Sequence, residues 1–283
     1  MANQIKTIFL LTAMTLVIML LGEAMGGHQG LWIAFGLAMV LNFSMYWFSA
    51  SIVLAQTRAK VVTELEAPEL YQLVAHLAQR ADLPMPRVAI MNDPAPNAFA
   101  TGRNPSHAVV AVTTGILSIL NREELAGVLG HELAHVKHRD ILIGSVAAVL
   151  AGVIMLLAQM ARFSAFFVRS GSQDNRGGSP AAGLLMALLA PLAASLIQAA
   201  ISRSREYLAD DGGADIAGSS LGLASALEKL ANSQSRGLTL RDPSPATAGL
   251  FIVNPLIFKG ISQLFATHPP IEERINRLRG LQP

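Results

Sequence analysis

The chain has 283 residues and a net charge of +2, and no cluster of Lys and Arg with interleaved aromatic residues indicates a nucleic-acid partner. Hydrophobic residues make up 52% of it and charged residues 14%, against about 25% charged residues in a typical soluble domain, which argues against a wholly soluble protein. Because it has no cysteine, disulfides, metal–thiolate sites and cysteine nucleophiles are excluded.

The low charge is concentrated in four stretches that predict membrane-spanning helices. Each lacks Asp, Glu, Lys and Arg: Thr7–Gly22, Ala24–Thr57, Ile141–Ala161 and Gly177–Ser202. The last three exceed the roughly 20 residues that cross a bilayer, and the first can cross with little tilt when counted as Ile5–Leu21. A cleaved signal peptide is the alternative for the N-terminus, but no A-x-A site follows and a second apolar span begins at Leu31. We therefore expect an integral membrane protein with about four spans in the lipid bilayer.

These spans predict an N-terminal hairpin over 1–57 and a second hydrophobic hairpin over 141–202. A polar domain is divided between them, with its first part at 58–140 and its second part at 203–283. Lys6, Arg58 and Lys60 flank the first hairpin, so the positive-inside rule places everything after Lys60 in the cytoplasm. If both polar parts share one site, the second hairpin must return the chain to the same side, or neither of its helices crosses fully.

The first polar part predicts a mixed unit of helices and short strands. Ala67–Asp82 has apolar residues at helical spacing. Three strand-like pieces follow, the middle one as an edge strand: Arg87–Met91, Asn97–Thr101 and His107–Val112. Asn121 with an acidic turn after it begins a helix that we expect to pass through Lys137–Asp140 directly into the third span.

The remainder of the chain alternates loops and polar helices. Arg169–Pro180 is a Gly/Ser-rich loop within the second hairpin. Arg203–Ala217 predicts a carboxylate-bearing helix, and Pro270–Arg279 a charged one. Between them, Asn232–Gly249 is rich in Ser, Pro, Thr and Gly and predicts a surface loop.

The sequence His131-Glu132-Leu133-Ala134-His135 indicates a zinc site and a hydrolytic reaction together. Histidines four apart on a helix lie about 40° apart around its axis, so both imidazoles can face one metal ion. Glu132 lies about 100° from His131, where it can reach a metal-bound water without being a ligand. The alternative is a surface helix that happens to carry two histidines.

A catalytic zinc ion needs a third protein ligand and keeps one position open. His138 shares the face of His131, but seven residues span about 10 Å of helix, too far for convergence on one ion. Glu206 and Asp210 share a helical face farther along, so one can bind zinc while the other accepts a hydrogen bond from a ligand histidine. The alternative is an exposed acidic face that pairs with Arg203 or Arg205.

With these residues the chain resembles the M48 family of membrane zinc metalloproteases, and within it the bacterial HtpX-type branch. The matching stretches follow the family order along essentially the whole chain: Asn97–Gly102, Gly130–His135, Glu206–Asp210, Thr267–Pro270 and Glu272–Arg274. The resemblance implies a mainly α protein whose membrane helices carry a zincin-like α+β domain with a small β-sheet. It also implies one zinc ion per chain, bound by His131, His135 and Glu206. In that family pattern Glu132 is the general base and Asp210 the carboxylate that orients a ligand histidine.

Two further roles are implied by the resemblance. His268 corresponds to a group that stabilises an oxyanion, with a capping histidine before a Pro-Pro turn as the alternative. A second set resembles the edge strand along which the substrate of a zincin lies extended: Asn97, Ala98, Phe99 and Ala100. An unpaired strand edge can bond to any peptide backbone, so it binds substrates without strict sequence demand.

The implied function is that of a zinc endopeptidase in the bacterial inner membrane, with its active site on the cytoplasmic side. Its substrates would be polypeptides, particularly unfolded or damaged membrane proteins, in a quality-control role. One alternative is a dedicated processing peptidase for one membrane or lipid-modified substrate, although that branch of the family has more spans. Another is a non-catalytic membrane scaffold with structural zinc, but structural sites usually have four protein ligands, often cysteine.

Overall fold

A computed structural model describes residues 2–150, 203–242, 244, 247–255 and 269–280. Helix α1, Ala2–Thr57, is kinked at Gly26 and Gly27, where the backbone leaves helical geometry and Gly27 adopts a positive φ of 56°. The two arms fold back on each other, because the Asn42 side-chain amide donates to the Thr15 hydroxyl at 2.8 Å. α1 therefore consists of two helical arms joined by a tight turn.

Membrane helices are confirmed only in part. Among the described residues, one helix, Gly26–Thr57, is long and apolar enough to cross a membrane. Thr7–Leu20 and Ile141–Leu150 are shorter apolar helices. Most of the predicted second hairpin lies in residues 151–202, outside the described residues, so the expectation of about four spans is not confirmed.

A four-stranded mixed sheet forms the centre of the polar domain, in the order β1-β2-β4-β3. Its strands are β1 Lys60–Val62, β2 Arg87–Met91, β3 Ala98–Thr101 and β4 Val109–Thr113. Strands β2 and β4 are parallel, whereas β1 and β3 pair antiparallel with β2 and β4 respectively. β3 is thus an edge strand, as predicted, while β1 was not predicted from the sequence.

Strands β2, β3 and β4 are mostly buried on both faces, which explains why they are largely apolar, whereas β1 is mostly exposed. Val88, Val110 and Val112 on one face join a core with helix α2, Pro68–Arg80, and with the helices of the second polar part. On the other face, Ala89, Met91, Phe99, Val109 and Ala111 pack with the last turns of α1 and with α5, Ile141–Leu150. Because alternate side chains of a strand point to opposite faces, one face of the sheet joins the domain core and the other packs against the apolar helices α1 and α5.

Helices surround the sheet on its domain side. Helix α3, Thr114–Ile119, follows β4 directly, and α4, Arg122–Lys137, begins with a capping box in which the Asn121 and Glu124 side chains each bond to the other's backbone. The second polar part adds α6, Arg203–Ala217, α7, Ser220–Ser235, and α8, Ile271–Gly280. Because α7 continues to Ser235, the predicted loop over Asn232–Gly249 was placed four residues too early.

The expectation that α4 runs unbroken into the third apolar stretch was wrong. The helix ends at Lys137, and Arg139 adopts a left-handed φ of 59° before α5 begins at Ile141. The Asp140 amide closes this break by donating to the His135 carbonyl at 2.9 Å. A left-handed residue reverses the chain direction locally, so the break turns Asp140 back towards the histidines.

Candidate metal centre

Two helices, α4 and α6, cross at glycines and bring the predicted ligands together. A Cβ added to Gly213 would lie only 2.6 Å from the backbone nitrogen of His131, so the helix backbones are in direct contact there. His131, His135 and Glu206 each offer one ligand atom, and these three atoms lie within 4.8 Å of one another. Histidines four apart on α4 therefore meet a carboxylate from α6, as the spacing predicted.

The spacing of these donor atoms fits a zinc ion. The His131 and His135 Nε2 atoms are 3.2 Å apart. Glu206 Oε1 lies 3.6 Å from His135 Nε2, and Oε2 lies 3.8 Å from His131 Nε2. Tetrahedral bonds of about 2.0–2.1 Å put two donors about 3.3 Å apart, so the pair of histidines already has the required separation. Two imidazoles and a carboxylate are also the donor set of many catalytic zinc sites.

A carboxylate orients each histidine from behind. His131 Nδ1 lies 2.9 Å from Asp210 Oδ1, as predicted for Asp210. His135 Nδ1 lies 3.2 Å from Asp140 Oδ2, a contact that the sequence analysis missed because it assumed an unbroken helix. With both Nδ1 atoms engaged, both Nε2 lone pairs face the common centre.

Arg274 of α8 supports this arrangement and is completely buried, with 0% of its surface exposed. Its Nε and Nη2 donate to the two oxygens of Asp210 at 2.9 and 2.7 Å. Nη2 also lies 3.4 Å from His131 Nδ1, and Nη1 donates to the Ile252 carbonyl at 3.3 Å. Sequence patterns do not reveal this role, because a buried arginine gives no signal in a charged, amphipathic helix.

Glu132 lies beside the three converging side chains and is 2% exposed. Burial raises its pKa to about 7; the His135 charge opposes this shift, Glu206 adds to it, and a hydrogen bond from the Ala100 backbone opposes it. A carboxyl group whose pKa lies near neutrality can both accept and return a proton, which is what a general base in hydrolysis must do.

The electrostatics of the centre favour a cation. Burial lowers the pKa of His131 to about 4, against the hydrogen bond to Asp210, so this imidazole is neutral. Burial alone would lower the pKa of His135, but Asp140, Glu206 and Glu132 raise it to about 9. Burial would raise the pKa of Asp210, but Arg274 and His131 lower it to about 2. The carboxylates therefore stabilise a positive charge on His135, beside the point where the three donor atoms converge.

The remaining predicted site residues occupy different surroundings. Ala100 lines the cleft beside the centre, and Phe99 is buried against Phe251 with their ring centroids 5.1 Å apart. The outer edge of β3 is already paired in part, because the Ala98 carbonyl accepts a hydrogen bond from the Ile252 amide at 3.0 Å. The Asn97 side chain bonds to both backbone groups of Val253. His268 lies outside the described residues.

Comparison with known proteins decides the family. The family model described as peptidase family M48 matches residues 64–282. The chain belongs to this family. A protease HtpX homolog of Desulfatibacillum aliphaticivorans is 55% identical and covers 100% of this chain and 91% of the relative. Another, of Thermococcus kodakarensis, is 54% identical and covers 97% of this chain and 94% of the relative.

A solved structure shares the fold at low sequence identity. The crystal structure of S. mikatae Ste24p matches with a TM-score of 0.52 and 18% identity, over 98% of this chain and 65% of that one. At this identity the match supports the fold alone, and the chain spans somewhat less than two thirds of that protein. The predicted resemblance to the M48 family and to its HtpX-type relatives is confirmed. The chain is a membrane-bound metalloprotease that acts on polypeptides.

Proposed function

We propose that the chain is a zinc endopeptidase that cleaves unfolded or damaged membrane proteins in a quality-control role. The observation that carries this proposal is the convergence of two imidazoles and a carboxylate beside a buried glutamate with a pKa of about 7. His131, His135 and Glu206 would hold one zinc ion per chain. A bound zinc ion supplies a Lewis acid that polarises the scissile carbonyl and acidifies a water molecule.

The chain's own residues then manage protons and orientation. Glu132 takes a proton from the attacking water as the new carbon–oxygen bond forms, and passes it to the amine nitrogen when the carbon–nitrogen bond breaks. Asp210 and Asp140 keep the two imidazoles in one tautomer throughout. His268 remains a proposed oxyanion stabiliser, and Asn97, Ala98, Phe99 and Ala100 a proposed substrate-binding edge. Since Ile252 already pairs with Ala98, Ala100 is the position of this edge that faces the cleft.

Contact between the sheet and the membrane helix supports membrane proteins as substrates. Arg103, two residues beyond β3, lies over the indole ring of Trp47 at 4.2 Å from its centroid. Trp47 is part of α1 and belongs to an aromatic cluster with Phe43 and Tyr46. Aromatic side chains of this kind gather at the headgroup level of a bilayer. The edge strand would thus lie close to the membrane surface, where a segment that emerges from the bilayer can reach it.

The same proposal includes the topology. The chain would be a multi-pass protein of the bacterial inner membrane. Domain part 58–140, between the hairpins 1–57 and 141–202, and domain part 203–283, after the second hairpin, would both lie in the cytoplasm. Because the native chain has no cysteine, single cysteines introduced at Ser170 or Ser172 can be labelled selectively. Labelling from the outer side of intact cells supports a fully crossing second hairpin; labelling only after the inner side is opened contradicts it.

Catalysis is tested with a matched pair of proteins in detergent. Zinc-loaded wild type is expected to cleave an unfolded protein at internal bonds, and Glu132→Gln with equal zinc content is expected to lose at least about a hundredfold in rate. Equal rates in both would identify a contaminant or a different base. Cleavage restricted to one of several unrelated unfolded proteins would favour the dedicated processing peptidase, and zinc binding without cleavage would favour the scaffold.

A further inference from the structure

The cleft beside the three converging donors is small, and its lining away from the donors is mostly apolar, with Asp140 and Arg205 as the charged members. Its volume is about 50 Å³. Its apolar lining comes from Ala100 of β3, from the wall of Ile141 and Gly144 on α5, and from the wall of Leu250 and Ile252 in the segment 247–255. These walls flank His131, Glu132, His135 and Glu206, so a substrate side chain next to the scissile bond must pass between them.

The two walls meet at Gly144 and Leu250. A Cβ added to Gly144 would lie 3.2 Å from Leu250 Cδ2, so a glycine hydrogen and a leucine methyl group set the width of the cleft at this point. Any larger residue at 144 would narrow it. A smaller residue at 250 would open it by the volume of an isopropyl group.

The wall that carries Leu250 is held in place by its neighbours in sequence. The Ile252 amide donates to the Ala98 carbonyl, and the Ile252 carbonyl accepts from Arg274 Nη1. Phe251 is 1% exposed and packs edge-on against Phe99. Because the Ile252 backbone is hydrogen-bonded through both its amide and its carbonyl, the cleft does not widen freely when a large side chain approaches.

We propose that Gly144 and Leu250 determine substrate specificity, restricting one residue beside the scissile bond to a small side chain such as that of alanine or glycine. The proposal rests on the endopeptidase function proposed above. An apolar cavity of about 150 Å³ is known to admit benzene, and this cleft has about one third of that volume, so it excludes aromatic rings.

Binding tests the pocket independently of catalysis. Full-length, zinc-loaded protein in detergent carries Glu132→Gln, alone or combined with Leu250→Ala, Gly144→Ala or the exposed control Leu238→Ala. Labelled peptides are used that differ only in one residue, glycine, alanine or phenylalanine, beside the bond. In a hydrophobic pocket one methylene group changes selectivity roughly tenfold to two-hundredfold, so the Glu132→Gln protein is expected to bind the alanine peptide at least about tenfold more tightly than the phenylalanine peptide.

The two substitutions are expected to act in opposite directions. Leu250→Ala should reduce the alanine-over-phenylalanine preference to about threefold or less, whereas Gly144→Ala should weaken the alanine peptide about tenfold relative to the glycine peptide. Gly144→Ala can fold, because the Leu250 methyl group that it meets is the end of a flexible side chain. Leu238→Ala should leave all ratios unchanged. Unchanged ratios in both cleft variants would overturn the proposal.

Cleavage sites in the active background separate this proposal from the proposed function. Mass spectrometry of an unfolded protein digested by wild type should show small residues on one side of the cleaved bonds, and Leu250→Ala should admit bulky ones. Cleavage by wild type with no such preference overturns the specificity proposal and leaves the endopeptidase intact. A peptide preference in binding with no cleavage anywhere contradicts the endopeptidase and supports the pocket.

Discussion

Arg274 and Asp210 form an ion pair that is 0% exposed on both sides and lies directly behind His131. Removal of one partner from a buried pair leaves an unpaired charge and costs about 3–5 kcal/mol, whereas replacement of both by apolar residues is often neutral or stabilising. We therefore expect Arg274→Met and Asp210→Leu each to destabilise the domain by about that amount, and the double variant to recover most of the loss. For a domain of 150–250 residues, each single change should lower Tm by roughly 6–20 °C.

Zinc affinity should respond differently from stability, because Asp210, unlike Arg274, presents a carboxylate to the ligand His131. Loss of such an orienting group weakens metal binding about tenfold to a hundredfold, so Asp210→Leu and the double variant should both show this loss. Thermal unfolding is followed by circular dichroism with a chelator present, and zinc affinity by competition with a fluorescent chelator. Additive destabilisation in the double variant would refute the coupled pair, and restored zinc affinity in it would refute the orienting role of Asp210.

Three further predictions concern the same centre. Gly213→Ala should separate α4 from α6, weaken zinc binding at least about tenfold and lower the free energy of unfolding by about 1–3 kcal/mol. The control Gly36→Ala, whose added Cβ has no neighbouring atom within 4 Å, should have none of these effects. Asp140→Asn should lower zinc affinity about tenfold to a hundredfold without the large loss of Tm, and an unchanged affinity would show that its hydrogen bond is incidental. Because the pKa of metal-free His135 is raised to about 9, zinc binding near neutral pH should release about one proton and tighten as the pH rises towards 9. Calorimetry in buffers of different ionisation enthalpy measures the number of protons released. A zinc affinity that does not change between pH 6 and 9 would contradict the raised pKa of His135.

Much of the centre could be predicted from the sequence because helical geometry is local. Residues four apart share a helix face, so the spacing of His131 and His135 on one helix, and of Glu206 and Asp210 on another, specified which side chains could converge. The structure brings them within bonding reach of one another without any adjustment of those elements. The strand Arg87–Met91 was likewise predicted to the residue, and the helix predicted over Arg203–Ala217 ends at Ala217 as expected.

The missed contacts depend on features that local patterns do not encode. Asp140 reaches His135 only because Arg139, a non-glycine residue, adopts a left-handed conformation that ends the helix. Arg274 lies 64 residues from Asp210 in sequence, and nothing in a charged amphipathic helix distinguishes the one arginine that faces inward. The pairing of Ile252 with the edge strand has the same origin, since a segment rich in polar and turn residues predicts a surface loop.

These long-range contacts make the active centre depend on the whole fold. His131 and Glu206 come from segments separated by a long apolar stretch, and Arg274 joins the last helix to Asp210 and to the Ile252 carbonyl in the cleft wall. Displacement of the last helix would therefore remove the arginine partner of Asp210, which contacts His131, and would release the wall that carries Leu250. The last helix therefore supports the zinc ligands indirectly, although it supplies none of them.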